Sequence, residues 1–147
     1  YRDKVYLIPK ICIAAINAKR KKIKTKFGNL KISREWNWCE EQIKYLYKFI
    51  KKEPQDFILS NGKNYSALNM LKFAFQYFDL DYKKFVSFNN KKFLRKKDIS
   101  DKRSNYKYCL NRNKILRKDK VYGKELVKKL IEFYLNKHKI RSNHLLS

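Results

Sequence analysis

Four segments of this chain repeat their apolar residues at helical spacing, and only short apolar runs separate them. That alternation limits the folds open to it. VYLIPKICIAAINAKRKK puts Leu7, Ile11, Ala14 and Ala18 on one stripe, with Pro9 early enough for a helix to tolerate it. EEQIKYLYKFIKK puts Ile43, Leu46, Tyr47 and Ile50 on one face, which predicts an amphipathic helix with Tyr47 in the core, closed by Pro54. Ser66 is placed to cap ALNMLKFAFQYF, whose inner stripe reads Leu68, Leu71, Phe75 and Phe78. GKELVKKLIEFYLNKHK turns Leu126, Leu130, Ile131 and Tyr134 inward and carries basic residues in its last turn, where the helix dipole favours them.

The strand signals are few. KIKTKFG alternates into a glycine turn, Phe57 to Leu59 of DFILSNG is a short apolar run, and Phe85, Val86 and Phe88 suggest another. The expectation is an α/β chain, mostly helices with two or three short strands. That is too few for a self-sufficient doubly wound sheet, so the sheet they join lies outside this sequence. The reading is one lobe over residues 1–139 with a fraying tail at 140–147, part of something longer.

The formal charge of +25 points by itself to nucleic acid. It is mostly lysine and is spread along the chain rather than gathered in one stripe. The over-used Lys, Ile, Asn, Tyr and Phe also share A/T-rich codons, so a solvated surface driven by composition is the reading preferred. The three cysteines, Cys12, Cys39 and Cys109, are far apart and offer no zinc ligand spacing. An odd count suits a reducing cytosol. No apolar stretch is long enough to span a membrane, and a cytoplasmic location is expected.

The three glycines, Gly28, Gly62 and Gly123, are isolated, so no dinucleotide-binding loop is present. His138 and His144 fall in the basic C-terminal region and read as solvated surface. Tyr6 with Lys10 and Tyr47 with Lys51 both fit Tyr-x-x-x-Lys. About two such pairs are expected by chance in a chain so rich in both residues.

GNLKISREWNWCEEQ stands apart from the lysine-rich surroundings. Arg34 sits on a loop entering a helix, where a guanidinium can hold a diphosphate bidentately; pairing with Glu35 or Glu40 is the plain alternative. Arg95 and Asp98 of FLRKKDI could meet a phosphate and a sugar or base, or simply each other. Trp36 and Trp38, near a helix start, read as core before they read as a stacking platform.

In order, YLIPKI, GNLKISREWNWCEEQI, DFILSNGKNYSALNMLKFAF, FLRKKDI and KDKVYGKELVKKLI resemble the C-terminal half of the GDP-mannose 4,6-dehydratases, which are extended short-chain dehydrogenases. That family shows F-V-T-R-K-I, G-N-L-D-x-x-R-D-W-G-H-A-x-D-Y-V, D-Y-V-I-A-T-G-E-x-H-S-V-R-E-F-V-x-x-A-F, F-R-P-x-E-V and K-P-K-x-S-F-E-E-L-V with similar gaps. The resemblance runs from about Tyr1 to Lys137. It implies the substrate-binding part of a Rossmann-type NAD(P)-binding enzyme that converts GDP-mannose to GDP-4-keto-6-deoxymannose, on the route to GDP-fucose. It also implies an NADP held by an N-terminal half outside this chain, together with the catalytic residues, and a homo-oligomer in the complete enzyme.

Carried over by position, Lys10 would approach the nucleotide, Arg34 and Arg95 would hold the diphosphate, and Asp98 would meet the nucleoside. Asn37 and Trp38 replace the family's Gly-His, Lys96 replaces a proline, Asp98 shortens a glutamate, and residues 100–113 have lost the leucine-rich pattern. Alone, the chain is expected to be inactive. The alternatives are a small basic nucleic-acid-binding module and a remnant kept for subunit association.

Overall fold

The computed structural model describes residues 6–50, 59–88, 115–116 and 120–143. Helix α1 (Leu7–Lys21) starts from Tyr6, whose carbonyl accepts from Lys10 N at 2.9 Å, so Pro9 falls in the first turn where no amide is needed. It ends at Lys22 in the left-handed region, φ 54°, after Lys19, Arg20 and Lys21 have placed cations on its C-terminal dipole. Ile11, Ala14 and Ala18 are buried as their spacing requires, and so are Ile8, Cys12, Ala15 and Ile16. Burial on more than one face marks α1 as the central helix.

The helices that enclose it are α3 (Ala67–Gln76) and α4 (Gly123–Asn143), and each of the three packs on the other two. Ala14, Ala15 and Ala18 of α1, with Ala67 and Ala74 of α3, keep the contacting faces low enough for the backbones to approach closely. Met70, Leu71, Phe75, Val127 and Ile131 fill the remaining space and are almost wholly removed from solvent. Of the expected stripes, Leu71, Phe75, Leu126, Ile131 and Tyr134 are buried, while Leu68, Phe78 and Leu130 lie half-buried at the rim. Ser66 caps α3 in a full capping box: its Oγ accepts from Asn69 N at 3.0 Å, and Asn69 Oδ1 accepts from Ser66 N at 3.0 Å.

Strands are short but more numerous than expected. β1 (Thr25–Phe27) runs parallel to β5 (Val86–Phe88), in register Thr25↔Val86. β2 (Ser33–Arg34) runs antiparallel to β4 (Tyr65–Ser66), and β3 (Leu59–Ser60) runs parallel to β6 (Ile115–Leu116). Among the described residues six strands form three separate two-stranded ribbons, rather than the two or three strands read from the sequence. Two-residue bridges such as Ser33–Arg34 carry no alternation long enough to read. Helix α4 continues past residue 139 to Asn143.

Helix α2 (Cys39–Phe49) departs from expectation. None of its residues is buried: Ile43 is 58 % exposed, Leu46 44 % and Tyr47 65 %, and Ile50 at its C-terminal cap is 78 % exposed. Tyr47 is therefore not a core residue here. The apolar face predicted from its spacing exists, but no described element lies over it.

Candidate functional site

The loop between β1 and α2 is fastened to the start of α3 along its length. Asn29 Oδ1 accepts from Lys31 N at 2.9 Å, a local turn that lets Leu30 drop into the core. The Leu30 and Ile32 carbonyls then accept from Leu68 N and Ala67 N at 3.0 and 2.9 Å, satisfying orphan donors at the N-terminus of α3. β2 follows and places Arg34, half-buried, directly across from Tyr65. Trp36 closes the ribbon by donating Nε1–H to the Tyr65 carbonyl at 2.9 Å.

Glu35, read from sequence only as a partner for Arg34, turns its carboxylate to the β3–β4 corner. It accepts from Ser60 Oγ at 2.8 Å and from the backbone amide of Asn61. Asn61 is buried, and it donates Nδ2–H to Asn37 Oδ1 at 2.7 Å while its own Oδ1 accepts from Lys63 N at 2.7 Å. Asn37, where the resemblance expected glycine, thus belongs to a hydrogen-bonded polar corner. Gly62 takes φ 67° there, the turn that Asn-Gly announces.

Glu40 pairs with Lys44 at 2.7 Å, one turn along α2, and accepts from Trp38 Nε1 at 3.3 Å. The Lys44 ammonium and then the indole N–H hold the Glu40 carboxyl below its ordinary range, and Glu40 in turn holds Lys44 above its own. Trp38 lies beneath the Lys129 ammonium, which is 5.4 Å from its ring centroid. Both tryptophans pack at the edge of the core, as their place near a helix start suggested. Glu41 reaches the entrance of α4, accepting from Lys120 N at 3.0 Å and Val121 N at 3.1 Å.

Lys10 stands in α1 with its ammonium 4.9 Å from the Phe27 ring centroid, and Arg34 is on the β2–β4 ribbon. Arg95 and Asp98 lie outside the described residues, as do Cys109 and His144. Sequence reasoning passed over the Glu35 and Glu41 clamps. The visible signals were two acidic residues opening α2, next to a dipole that favours them, and an Asn-Gly corner whose amides need an acceptor.

Cys12 is fully buried, and burial pushes its thiol from 9.0 to about 12, which makes it inert; Cys39 is exposed. Among the described residues no group of three or more His, Cys, Asp or Glu could hold a metal ion, and no helix is long and apolar enough to cross a membrane. The sequence model of the family described as GDP-mannose 4,6 dehydratase matches residues 1–124 of this 147-residue chain. Among curated proteins none matches it. With most of its length matched, including the Arg34 loop, the β3–β4 corner and α1 to α3, the chain belongs to the GDP-mannose 4,6-dehydratase family.

Proposed function

We propose that residues 1–139 form the nucleotide-sugar-binding lobe of a dehydratase acting on GDP-mannose. Lys10, Arg34, Arg95 and Asp98 are its substrate-binding residues. The observation that carries this reading is the family match over residues 1–124, which spans the Arg34 loop. A planar guanidinium there suits a diphosphate, because it offers paired donors at fixed spacing where lysine offers a point charge.

The dehydration itself belongs to a Rossmann-type half outside this chain, which would hold NADP and supply the catalytic residues. This chain's own residues do not fit the cofactor. Gly28, Gly62 and Gly123 are isolated, and the two with positive φ serve the corner at Gly62 and the entrance of α4. The exposure of Ile43, Leu46 and Ile50 fits the same reading, since a lobe expecting a larger α/β body presents apolar residues for that body to cover. The complete enzyme is proposed to be a cytoplasmic homo-oligomer.

The test is a calorimetric titration of the chain with GDP-mannose, repeated with Arg34→Met and Arg34→Lys. Loss of a charge-assisted hydrogen bond weakens binding by about 1.5–3 kcal/mol, so Arg34→Met should bind at least about tenfold less tightly. Arg34→Lys should fall between. Equal binding by all three would refute the assignment of Arg34.

A further inference from the structure

A cavity of about 480 Å³ lies where α3 meets the entrance of α4, and its two walls differ in chemistry. Neither Lys10 nor Arg34 lines it. One part of the lining is aromatic: Tyr65, Phe73 of α3, Tyr77 at the C-terminal cap of α3, and Tyr122 at the entrance of α4. The other is cationic. Lys124 and Lys128, one turn apart on α4, join Lys120 from just before it, and Glu125 is the single acid among the lining residues. All three lysines are exposed, and among the described residues none takes part in a salt bridge.

The aromatic wall is fixed in place. Tyr65 stacks on Tyr122 with centroids 6.4 Å apart and planes at 21°, and Phe73 meets it edge-on at 5.7 Å. Its carbonyl is held by Trp36, and Gly123 passes so close that a Cβ there would stand 2.9 Å from Cζ. Lysines spaced by four on a helix are ordinarily a solvated face, and rings at a helix contact are ordinarily core margin. Here both kinds of residue line one space the size of a small-ligand site. Rings accept a planar partner by stacking, and a row of ammonium groups beside them accepts its anionic end.

We propose that this cavity binds a nucleoside phosphate: one planar base against the Tyr65–Tyr77 wall, its phosphate toward Lys124 and Lys128. The site is distinct from the Arg34 loop and does not depend on the role given to that residue. Base identity matters little, because stacking tolerates any π-face.

The probe is AMP, titrated into the intact chain at physiological salt, with binding followed by calorimetry and by the amide resonances of α3 and α4. AMP should bind, GMP should compete with it, and inorganic phosphate at the same concentration should not. Tyr77→Leu keeps bulk at a half-buried position and should weaken AMP by about tenfold. Lys124→Gln with Lys128→Gln alters only exposed groups, so folding is not at risk, and should weaken AMP comparably. Arg34→Met should leave AMP binding unchanged. The proposal is overturned if AMP does not bind, if neither variant weakens it, or if Arg34→Met abolishes it. Displacement by inorganic phosphate would reduce it to attraction by a +25 chain, and binding of a single-stranded oligonucleotide without AMP would make the surface a nucleic-acid track instead.

Discussion

Gly123 enters α4 directly against the ring of Tyr65, with φ 51°, and a Cβ added there would stand 2.9 Å from Tyr65 Cζ. The ring has little room to yield, because Phe73 and Tyr122 hold it from two sides. This pair joins the β2–β4 ribbon to the last helix, and through the ribbon it joins Arg34 to the three-helix core.

Replacing Gly123 with alanine therefore adds a displaced ring to a left-handed backbone that a side chain disfavours by about 1–2 kcal/mol. Gly62→Ala, at φ 67°, has the backbone penalty alone as far as the described residues go, since none of their atoms is found within 4 Å of its added Cβ. Urea denaturation should rank the chain above Gly62→Ala and Gly62→Ala above Gly123→Ala. Equal losses for the two variants would show that the Tyr65 contact is soft.

Glu41 ties α2 to the start of α4 through two backbone amides that lie 79 and 80 residues away in sequence. Glu41→Ala removes a charged acceptor, an interaction worth about 1.5–3 kcal/mol when not fully solvated. The expected result is faster hydrogen exchange at Lys120 and Val121, with the core amides of α1 unaffected. Unchanged exchange at those two amides would mean that the carboxylate does not hold them.

Cys12 gives stability an alkaline dependence. Its folded thiol titrates at about 12 and the unfolded one near 9.0, so the unfolded chain loses this proton first. The contribution is constant below 9.0 and falls as pH rises from there to about 12, by about 1.4 kcal/mol per pH unit. Urea midpoints measured across that range should fall more steeply for the native chain than for Cys12→Ala, in which every other titration is retained. In the folded chain at neutral pH a thiol reagent should modify Cys39 and spare Cys12.

The face of α2 makes an opposite prediction. Ile50 is 78 % exposed and Ile43 58 %, and among the described residues neither belongs to the buried core. Ile43→Lys and Ile50→Lys should each change stability by no more than about 0.5 kcal/mol. A loss of several kcal/mol on denaturation would show that something within the chain covers that face.

The parts legible in the sequence are those decided locally. Helical spacing placed Ile11, Ala14 and Ala18 in the core, and Ser66 was legible as the N-cap of α3. The α2 stripe was legible as a pattern but not as a location, because periodicity reports that a face is apolar and not what it meets. The separation of Ser33–Arg34 from Tyr65–Ser66 hid their pairing, and the Glu35 and Glu41 clamps were hidden for the same reason. At the candidate site, Arg34 was singled out from its loop and from the resemblance. Tyr65, which faces it across the ribbon, gave no local sign, because its part depends on Phe73, Tyr122 and Gly123 converging from two other elements.

The proposed role of this chain is the sugar-nucleotide lobe of a two-part dehydratase. Reading the coding DNA immediately upstream of Tyr1 tests it most directly. The account predicts an in-frame stretch encoding a glycine-rich strand-to-helix turn and, further along, a Tyr-x-x-x-Lys on a helical segment. A start codon adjoining Tyr1, with no such partner encoded beside it, would contradict the claim.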